Sequence, residues 1–320
     1  MALEMNAVTV RVGQAPTTLN DAVSCFLADC KARNLSPCTL ALNRIILKGL
    51  RGALGEAALA EVTANDLRRF LIDKASATSP ATAARYYDCI KRFFAFLADE
   101  GFIHTNPMQS VAKPRAAVPI IQPLRQEQVE AMIAACGSGF VGLRDRLVLL
   151  VLLDCGLRAS ELCGITLDDV DLENQQFLIR HGKGDRSRRV PFGSAVLATL
   201  RQYIAKRAEV DTPELVVNVY GDPVDRYRIR AIVLEAARKA GVTHPHIGPH
   251  LLRHTCAVQY LRNGGDTFSL QKVLGHSTLV MTRRYSELAD TDVADKHRVF
   301  SPADRLKAAV KTTGRRKRLQ

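Results

Sequence analysis

Residues 249–288 contain side chains whose types and spacing could handle a phosphate group. Pro249 suits the first position of a helix, so His250 lies in the first turn, where free backbone N–H groups and the helix dipole favour an anion. Arg253 follows three residues later on the same helix face, so both side chains can reach one ligand. The rest of this helix is apolar and we expect it to be buried. A buried Arg253 needs a carboxylate or a phosphate as its partner.

A histidine and a tyrosine follow in the same stretch. The next predicted helix starts near Asp266 or Thr267 and ends at Gly275, and His276 stands at the bend before a further helix that carries Tyr285. A single histidine or tyrosine on a helix is usually a core or surface residue without a chemical role. The combined order, a His-x-x-Arg, then Gly-His, then a tyrosine nine positions later, favours a functional site.

Five sequence boxes resemble those of the tyrosine recombinases, also called phage integrases. They are HLLRH (250–254), LGHS (274–277), the tyrosine in RRYSEL (283–288), GLRASEL (156–162) and HGKGDRSRRVP (181–191). In the resemblance, Arg158 is the first catalytic arginine and Glu161 its acidic neighbour. Lys183 is the lysine of the family's β-hairpin. The resemblance extends over about residues 18–300.

The resemblance implies DNA cleavage by a tyrosine. Attack on a phosphodiester builds negative charge on its non-bridging oxygens, and Arg158 and Arg253 would stabilise that charge with paired hydrogen bonds. His276 would donate a further hydrogen bond, and Glu161 would orient the site.

The proton transfers follow from the same resemblance. Tyr285 would be the nucleophile, His250 would assist its deprotonation, and Lys183 would protonate the leaving 5′ oxygen. The product is a 3′-phosphotyrosyl DNA that a second DNA hydroxyl attacks, without a nucleotide cofactor or a metal. The implied partner is double-stranded DNA with inverted-repeat core sites. Because two duplexes are each cut on both strands, the implied assembly is a homotetramer on DNA.

The long segment after Tyr285 favours a recombinase that integrates, excises or transposes a mobile element. The alternatives are a Xer-like resolvase and a non-catalytic DNA-binding protein of the same fold. A type IB topoisomerase shares the chemistry, but the compact boxes and short chain speak against it. The GKGD tetrapeptide lacks the full GxxxxGK[ST] pattern, which excludes a P-loop.

The elements that position these residues fall into five segments. The sequence predicts a mainly α (α+β) chain, with a disordered N-terminus (1–17), a helical core-binding, SAM-like DNA-binding domain (18–103), a proline-rich linker (104–123), a catalytic domain with a small β-sheet (124–300) and a basic tail (301–320). The resemblance implies the fold of the DNA breaking-rejoining enzymes. Two domains joined by an extended linker can close around a duplex.

Periodicity predicts the elements of each domain. Four helices make up the first domain; the second starts after Ser36 and Pro37, and the last two are each opened by a Thr or Ser cap. The second has helices over 124–136, 144–157 and 225–240 before the helix that begins at Pro249, and two strands over 175–180 and 187–192.

Composition sets broader limits on the 320-residue chain. Its 47% hydrophobic content suffices for two cores, and no apolar run approaches the ~20 residues of a membrane span, so we expect a cytoplasmic protein. The eight cysteines form no CxxC pair, which favours buried reduced thiols over metal ligands or disulfides.

The net charge of +13 indicates a polyanionic partner. Residues 301–320 contain seven Lys or Arg and one Asp. Within them, Arg315, Arg316, Lys317 and Arg318 are candidate phosphate contacts, although a merely solvated terminus would have the same composition.

Overall fold

The computed structural model describes residues 16, 18–55, 58–115, 121–180, 187–207, 210–275, 285, 297 and 301–304. The chain divides into two compact units, residues 1–120 and 121–320. It is mainly helical with one small antiparallel sheet, which confirms the predicted fold class. In the described ranges, none of the helices combines the length and apolar character needed to cross a membrane.

The first unit contains four α-helices: α1 (Leu19–Ala32), α2 (Pro37–Leu54), α3 (Ala64–Ala77) and α4 (Pro80–Asp99). Each begins after a hydroxyl side chain that accepts a hydrogen bond from a backbone N–H of the first turn; these caps are Thr18, Ser36, Thr63 and Ser79. Such caps satisfy N–H groups that otherwise lack a partner, which is why the helix starts follow the predicted ones closely.

The first unit extends beyond its predicted end at residue 103. A 3-10 helix (Leu59–Glu61) precedes α3, and a second one (Pro107–Ser110) follows α4. Met108 is buried in the core of this unit, and the Tyr87 hydroxyl donates a 3.0 Å hydrogen bond to the carbonyl of Val111. Part of the predicted linker therefore packs on the helices, because its apolar side chains complete their core.

The second unit surrounds α6 with the other elements. Its helices are α5 (Gln126–Ala134), α6 (Gly139–Asp154), α7 (Ala159–Cys163), α8 (Ser194–Arg207), α9 (Arg226–Lys239), α10 (Pro249–Arg262) and α11 (Thr267–Leu274). A 3-10 helix (Leu167–Asp169) leads into the sheet. The strands β1 (Val170–Asp171), β2 (Gln176–Ile179) and β3 (Arg188–Pro191) pair antiparallel in that order, with Phe177 opposite Val170 and Val190.

Four features of the second unit differ from the expectation. Helix α6 begins five residues earlier than predicted, and α7, α8 and β1 were not predicted. Helix α8 packs against α6 through Val196, Leu200 and Tyr203, whereas α7 and β1 are too short to show a period.

Helix α6 is apolar on most sides and lies in the core of this unit. Buried side chains cover several faces of it, among them Leu147, Val148, Val151 and Leu152. The helix packs against α8, α9 and α10. It ends at Asp154, and Gly156, with φ 58°, turns the chain so that Arg158 stands at the start of α7.

All eight cysteines are reduced thiols. Five are buried, Cys25 and Cys163 are half-buried, and Cys38 is exposed. Burial raises the pKa of the Cys89 thiol to about 11, so this thiol is protonated at neutral pH.

Candidate active site

Arg158 caps helix α7 and is tied to Glu161. Its backbone N–H donates to Glu161 Oε2 at 2.8 Å, and its Nη1 donates to Glu161 Oε1 at 2.7 Å. The Arg158 side chain is 26% exposed, whereas that of Glu161 is 6% exposed. The carboxylate therefore holds the guanidinium from the protein side and leaves part of it open to a ligand.

Arg253 lies on α10 and is buried, with 7% of its side chain exposed. Its guanidinium donates to the carbonyls of Gly156 and Leu274, the latter at 2.8 Å, and lies 4.0 Å from Glu161 Oε2. Burial, followed by repulsion from Arg158, lowers the pKa of Arg253 to about 10, and Glu161 and Tyr285 oppose this shift. Arg253 therefore stays charged at neutral pH and joins the end of α6 to the end of α11.

A third arginine, which sequence reasoning did not single out, completes this cluster. Arg188 of β3 donates from Nη1 and Nη2 to the two oxygens of Glu161, each at 3.0 Å, and from Nε to the carbonyl of Val273 at 3.1 Å. The sequence around Arg188 contained a signal that could have identified it. Arg188 and the buried Val190 are two residues apart, so they lie on the same face of β3, and an inward-facing cation requires a partner.

Burial raises the pKa of the Glu161 carboxyl, but the hydrogen bonds from Arg188 and from the Arg158 backbone outweigh it, so the pKa lies below its usual value. Glu161 is therefore an anion that orients its neighbours, with no proton to donate at neutral pH.

His250 lies in the first turn of α10, one turn before Arg253, as predicted. It is exposed. Partial desolvation, then repulsion from Arg253 and Arg158, lowers the pKa of its imidazole. A neutral imidazole can accept a proton, so His250 is suited to act as a base at neutral pH.

Tyr285 is half-buried and packs on the apolar cluster of α10 and α11 that contains Ala257, Leu261, Leu270 and Leu274. Its ring centroid lies 5.3 Å from that of His254, with the planes tilted by 55°. The Nε2 of His254 donates to the carbonyl of Ile121 at 2.6 Å, which fixes the ring. His254 belongs to the HLLRH box, but no local spacing pairs it with Tyr285.

Several predicted site residues lie outside the described residues. They are Lys183, His276, Arg315, Arg316, Lys317 and Arg318. The described residues bring Arg158, Glu161 and Arg253 together, with Tyr285 near enough to Arg253 to affect its pKa. Guanidinium groups can bind a phosphodiester, and a tyrosine hydroxyl can attack one. Within the described ranges, no group of three or more His, Cys, Asp or Glu side chains could hold a metal ion.

A basic and aromatic surface begins next to this cluster. Arg230 of α9 lies beside Gly248, which precedes α10, and it contributes to the lowered pKa of His250. One turn earlier on α9, Arg226 stacks over the exposed ring of Tyr227 at 4.9 Å and donates to its hydroxyl. Sequence reasoning did not single out these residues.

Comparison with known proteins finds similar sequences and similar structures. The phage integrase family model matches residues 122–292. Tyrosine recombinase XerC of Listeria innocua is 35% identical over 268 residues, which is 80% of this chain and 89% of that protein.

Two groups of solved structures share the fold. A Tn1549 transposon integrase in complex with a circular intermediate DNA matches with TM-score 0.74 and 20% identity, over 89% of this chain and 100% of that one. A lambda integrase tetramer bound to a Holliday junction matches with TM-score 0.69 and 18% identity, over 86% of this chain and 82% of that one.

Proposed function

The chain belongs to the phage integrase family of tyrosine recombinases, which are DNA strand-transferring enzymes, and from this premise we propose that it is a site-specific recombinase that cuts and rejoins duplex DNA through Tyr285. One observation carries the proposal. Arg158 and Arg253 meet at a single carboxylate, and Tyr285 packs against α10, the helix that carries Arg253.

The two arginines act on the charge of the transition state. As the nucleophile approaches phosphorus, negative charge grows on the non-bridging oxygens, and guanidinium groups can donate two hydrogen bonds to them. Arg158 has part of its guanidinium exposed for this contact, and the Arg253 guanidinium is held by two backbone carbonyls. Glu161 fixes Arg158 from the opposite side, and His276 donates a further hydrogen bond to the phosphate.

The covalent step exchanges one phosphate ester for another. The Tyr285 oxygen bonds to the 3′ phosphorus while its proton passes to His250, and the bond to the 5′ oxygen breaks as Lys183 gives that oxygen a proton. A 5′ hydroxyl of the second DNA then attacks the phosphotyrosine and passes its proton to Lys183, and Tyr285 leaves as His250 returns its proton. Because each step conserves one phosphodiester-type bond, the reaction needs no nucleotide cofactor.

The protein partner in this reaction is a further set of copies of the same chain. Recombination cuts two duplexes on both strands, which requires four tyrosines and therefore four protomers at inverted-repeat core sites. The tetrameric state of the structurally similar lambda integrase supports this assembly. The net charge of +13 and the basic face of α9 around Arg230 favour binding to the DNA backbone.

The same reaction can serve either a mobile element or a resolvase. The sequence predicts integration, excision or transposition of a mobile element, whereas the similarity to XerC favours a Xer-like resolvase. A plasmid with two directly repeated target sites separates them, because a resolvase recombines two identical sites into two circles. A mobile-element integrase joins two unlike sites carried on separate molecules.

A covalent-adduct assay tests the proposal. Duplexes bound by the protein are selected from a random library, and a nicked version of the selected duplex traps cleaved DNA on the enzyme. We expect the wild-type protein to form a protease-sensitive protein–DNA adduct. Tyr285→Phe removes one oxygen and no charge, so it should abolish the adduct while gel-shift binding stays nearly unchanged.

Tyr260→Phe is the matched control. Tyr260 is half-buried on α10 in the same cluster, and its hydroxyl contacts Ser269 at 3.1 Å. This variant should form the adduct. If Tyr285→Phe still forms it, another residue is the nucleophile. If the wild-type protein binds the duplex without forming an adduct, the chain is a non-catalytic DNA-binding protein of this fold.

A further inference from the structure

Arg188 connects three elements of the second unit. It stands at the start of β3, pairs with Glu161 of α7 through both Nη atoms, and donates from Nε to the carbonyl of Val273 near the end of α11. Its side chain is only 14% exposed. An arginine uses its full planar set of donors in such an arrangement, which a lysine cannot reproduce.

The contacts of Arg188 saturate the Glu161 carboxylate. Oε1 accepts from Arg158 Nη1 and Arg188 Nη1, and Oε2 accepts from the Arg158 backbone N–H and Arg188 Nη2, all at 2.7–3.0 Å. Arg253 remains 4.0 Å from Oε2. Without Arg188, half of these donors are lost, and a buried carboxylate would draw Arg158 and Arg253 closer because an unpaired buried charge is costly.

Arg188 also hydrogen-bonds to the end of α11. Arg188 Nε and Arg253 Nη2 donate to the consecutive carbonyls of Val273 and Leu274, so the two arginines hold the same helix end. Gly275 follows directly, and a Cβ there would lie 2.8–2.9 Å from the Arg188 guanidinium. The backbone and the guanidinium are thus packed as closely as a glycine permits.

We propose that Arg188 is a positioning residue of the recombination reaction, which neutralises Glu161 and holds the end of α11 so that Arg158 and Arg253 direct their guanidinium groups at the phosphate. The inference rests on the proposed function. Arg188 itself does not contact the DNA, because its donors are directed at Glu161 and Val273.

The proposal separates catalysis from binding. When Arg188 is replaced, Glu161 competes with the phosphate for Arg158 and Arg253, and this competition matters most where phosphate charge develops. We therefore expect slower cleavage with little change in DNA affinity. Replacing an arginine that only holds DNA would instead lower the DNA affinity, with little change in the cleavage rate at saturating DNA.

The test compares R188Q and R188K with R189Q on the nicked duplex described above. Arg189 is the next residue of β3; its side chain is 63% exposed and lies 3.9 Å from Asp171, so R189Q removes the same charge outside the cluster. Single-turnover cleavage is measured at saturating protein, together with the Kd for the duplex. R188Q should cleave about 10- to 100-fold more slowly, R188K should fall between R188Q and wild type, and R189Q should cleave at the wild-type rate.

A double-mutant cycle with E161Q tests whether Arg188 affects cleavage through Glu161. If Arg188 acts through Glu161, R188Q/E161Q is no slower than the slower single variant, because the competing charge is already gone. Additive losses would overturn this route. Thermal unfolding shows which variants are folded, and R188K carries the rate comparison if R188Q unfolds.

Different outcomes contradict the role of Arg188 and the recombinase activity. R188Q that cleaves within about twofold of wild type, in a protein that forms the Tyr285 adduct, overturns the role of Arg188 alone. A wild-type protein that forms no adduct overturns the proposed function.

Discussion

At the scale of single residues, Arg158 and Arg253 carry the same charge in different surroundings. Arg158 is partly exposed and is held by one carboxylate, whereas Arg253 is buried and is bound to two backbone carbonyls. The two side chains therefore differ in what their removal does to the fold.

Replacing either arginine with alanine should slow cleavage by about 10²- to 10³-fold or more at saturating DNA, because each loss removes donors that stabilise transition-state charge. R253A should also lower the melting temperature, and by more than R158A, since it leaves the buried carbonyls of Gly156 and Leu274 without their donor, at a cost of about 1–3 kcal/mol. Single-turnover cleavage and thermal unfolding measure the two effects.

Lysine variants at the same positions separate charge from geometry. R158K and R253K keep the charge but lose the paired donors, so they should restore cleavage only in part. If R158A and R253A both cleave normally once saturated with DNA, the two arginines only position the substrate, and their catalytic assignment is wrong.

At the scale of elements, the site depends on where α7, β3, α10 and α11 meet. None of these four elements supplies more than part of the cluster, and α7 is only five residues long. The helix ends matter most, because the carbonyls of Gly156, Val273 and Leu274 accept hydrogen bonds from two of the arginines. Carbonyls at helix C-termini lack partners within the helix, so they are free to orient side chains.

Gly275→Ala tests whether the close packing of the end of α11 against Arg188 matters for cleavage, and Gly264→Ala is its control. Both glycines follow a helix and have positive φ, 65° and 95°, so alanine should destabilise each variant by about 1–2 kcal/mol. A Cβ at Gly264 meets nothing within 4 Å, whereas one at Gly275 collides with the Arg188 guanidinium. We therefore expect slower cleavage for Gly275→Ala only, measured at equal saturation with DNA. Equal cleavage rates in both variants would contradict the role of this contact.

At the scale of the whole molecule, the charge of +13 is concentrated in part at the C-terminus. Truncation after Thr313 removes four basic residues, Arg315, Arg316, Lys317 and Arg318. If they contact phosphates, affinity for all DNA sequences should fall about equally, and the slope of log K against log salt should decrease by about 0.9 for each lost contact.

Binding titrations at several salt concentrations measure this slope. A full-length variant with glutamine at the same four positions separates charge from chain length. A slope that is the same in the truncated and full-length proteins would show that the tail is only solvated.

The amino-acid sequence determined those features that depend on neighbours a few residues apart. Thr63 and Ser79 start their helices as predicted, because a cap needs only the next three residues. The same local rule places His250 and Arg253 one turn apart on α10. The order of the sequence boxes was enough to predict the family and the fold class. The catalytic roles of all the predicted site residues, Lys183 and His276 among them, stay predictions.

Only the tertiary structure decided which distant groups meet. Arg188 reaches Glu161 across 27 positions of the chain and Val273 across 85, and His254 contacts Tyr285 across 31. Strand alternation indicates that Arg188 faces inward, but it does not name the partner. The packing of α8 on α6 was likewise decided only by the tertiary structure. Periodicity predicts which face of an element is buried. It does not predict which other element covers that face, because this depends on how whole elements pack together.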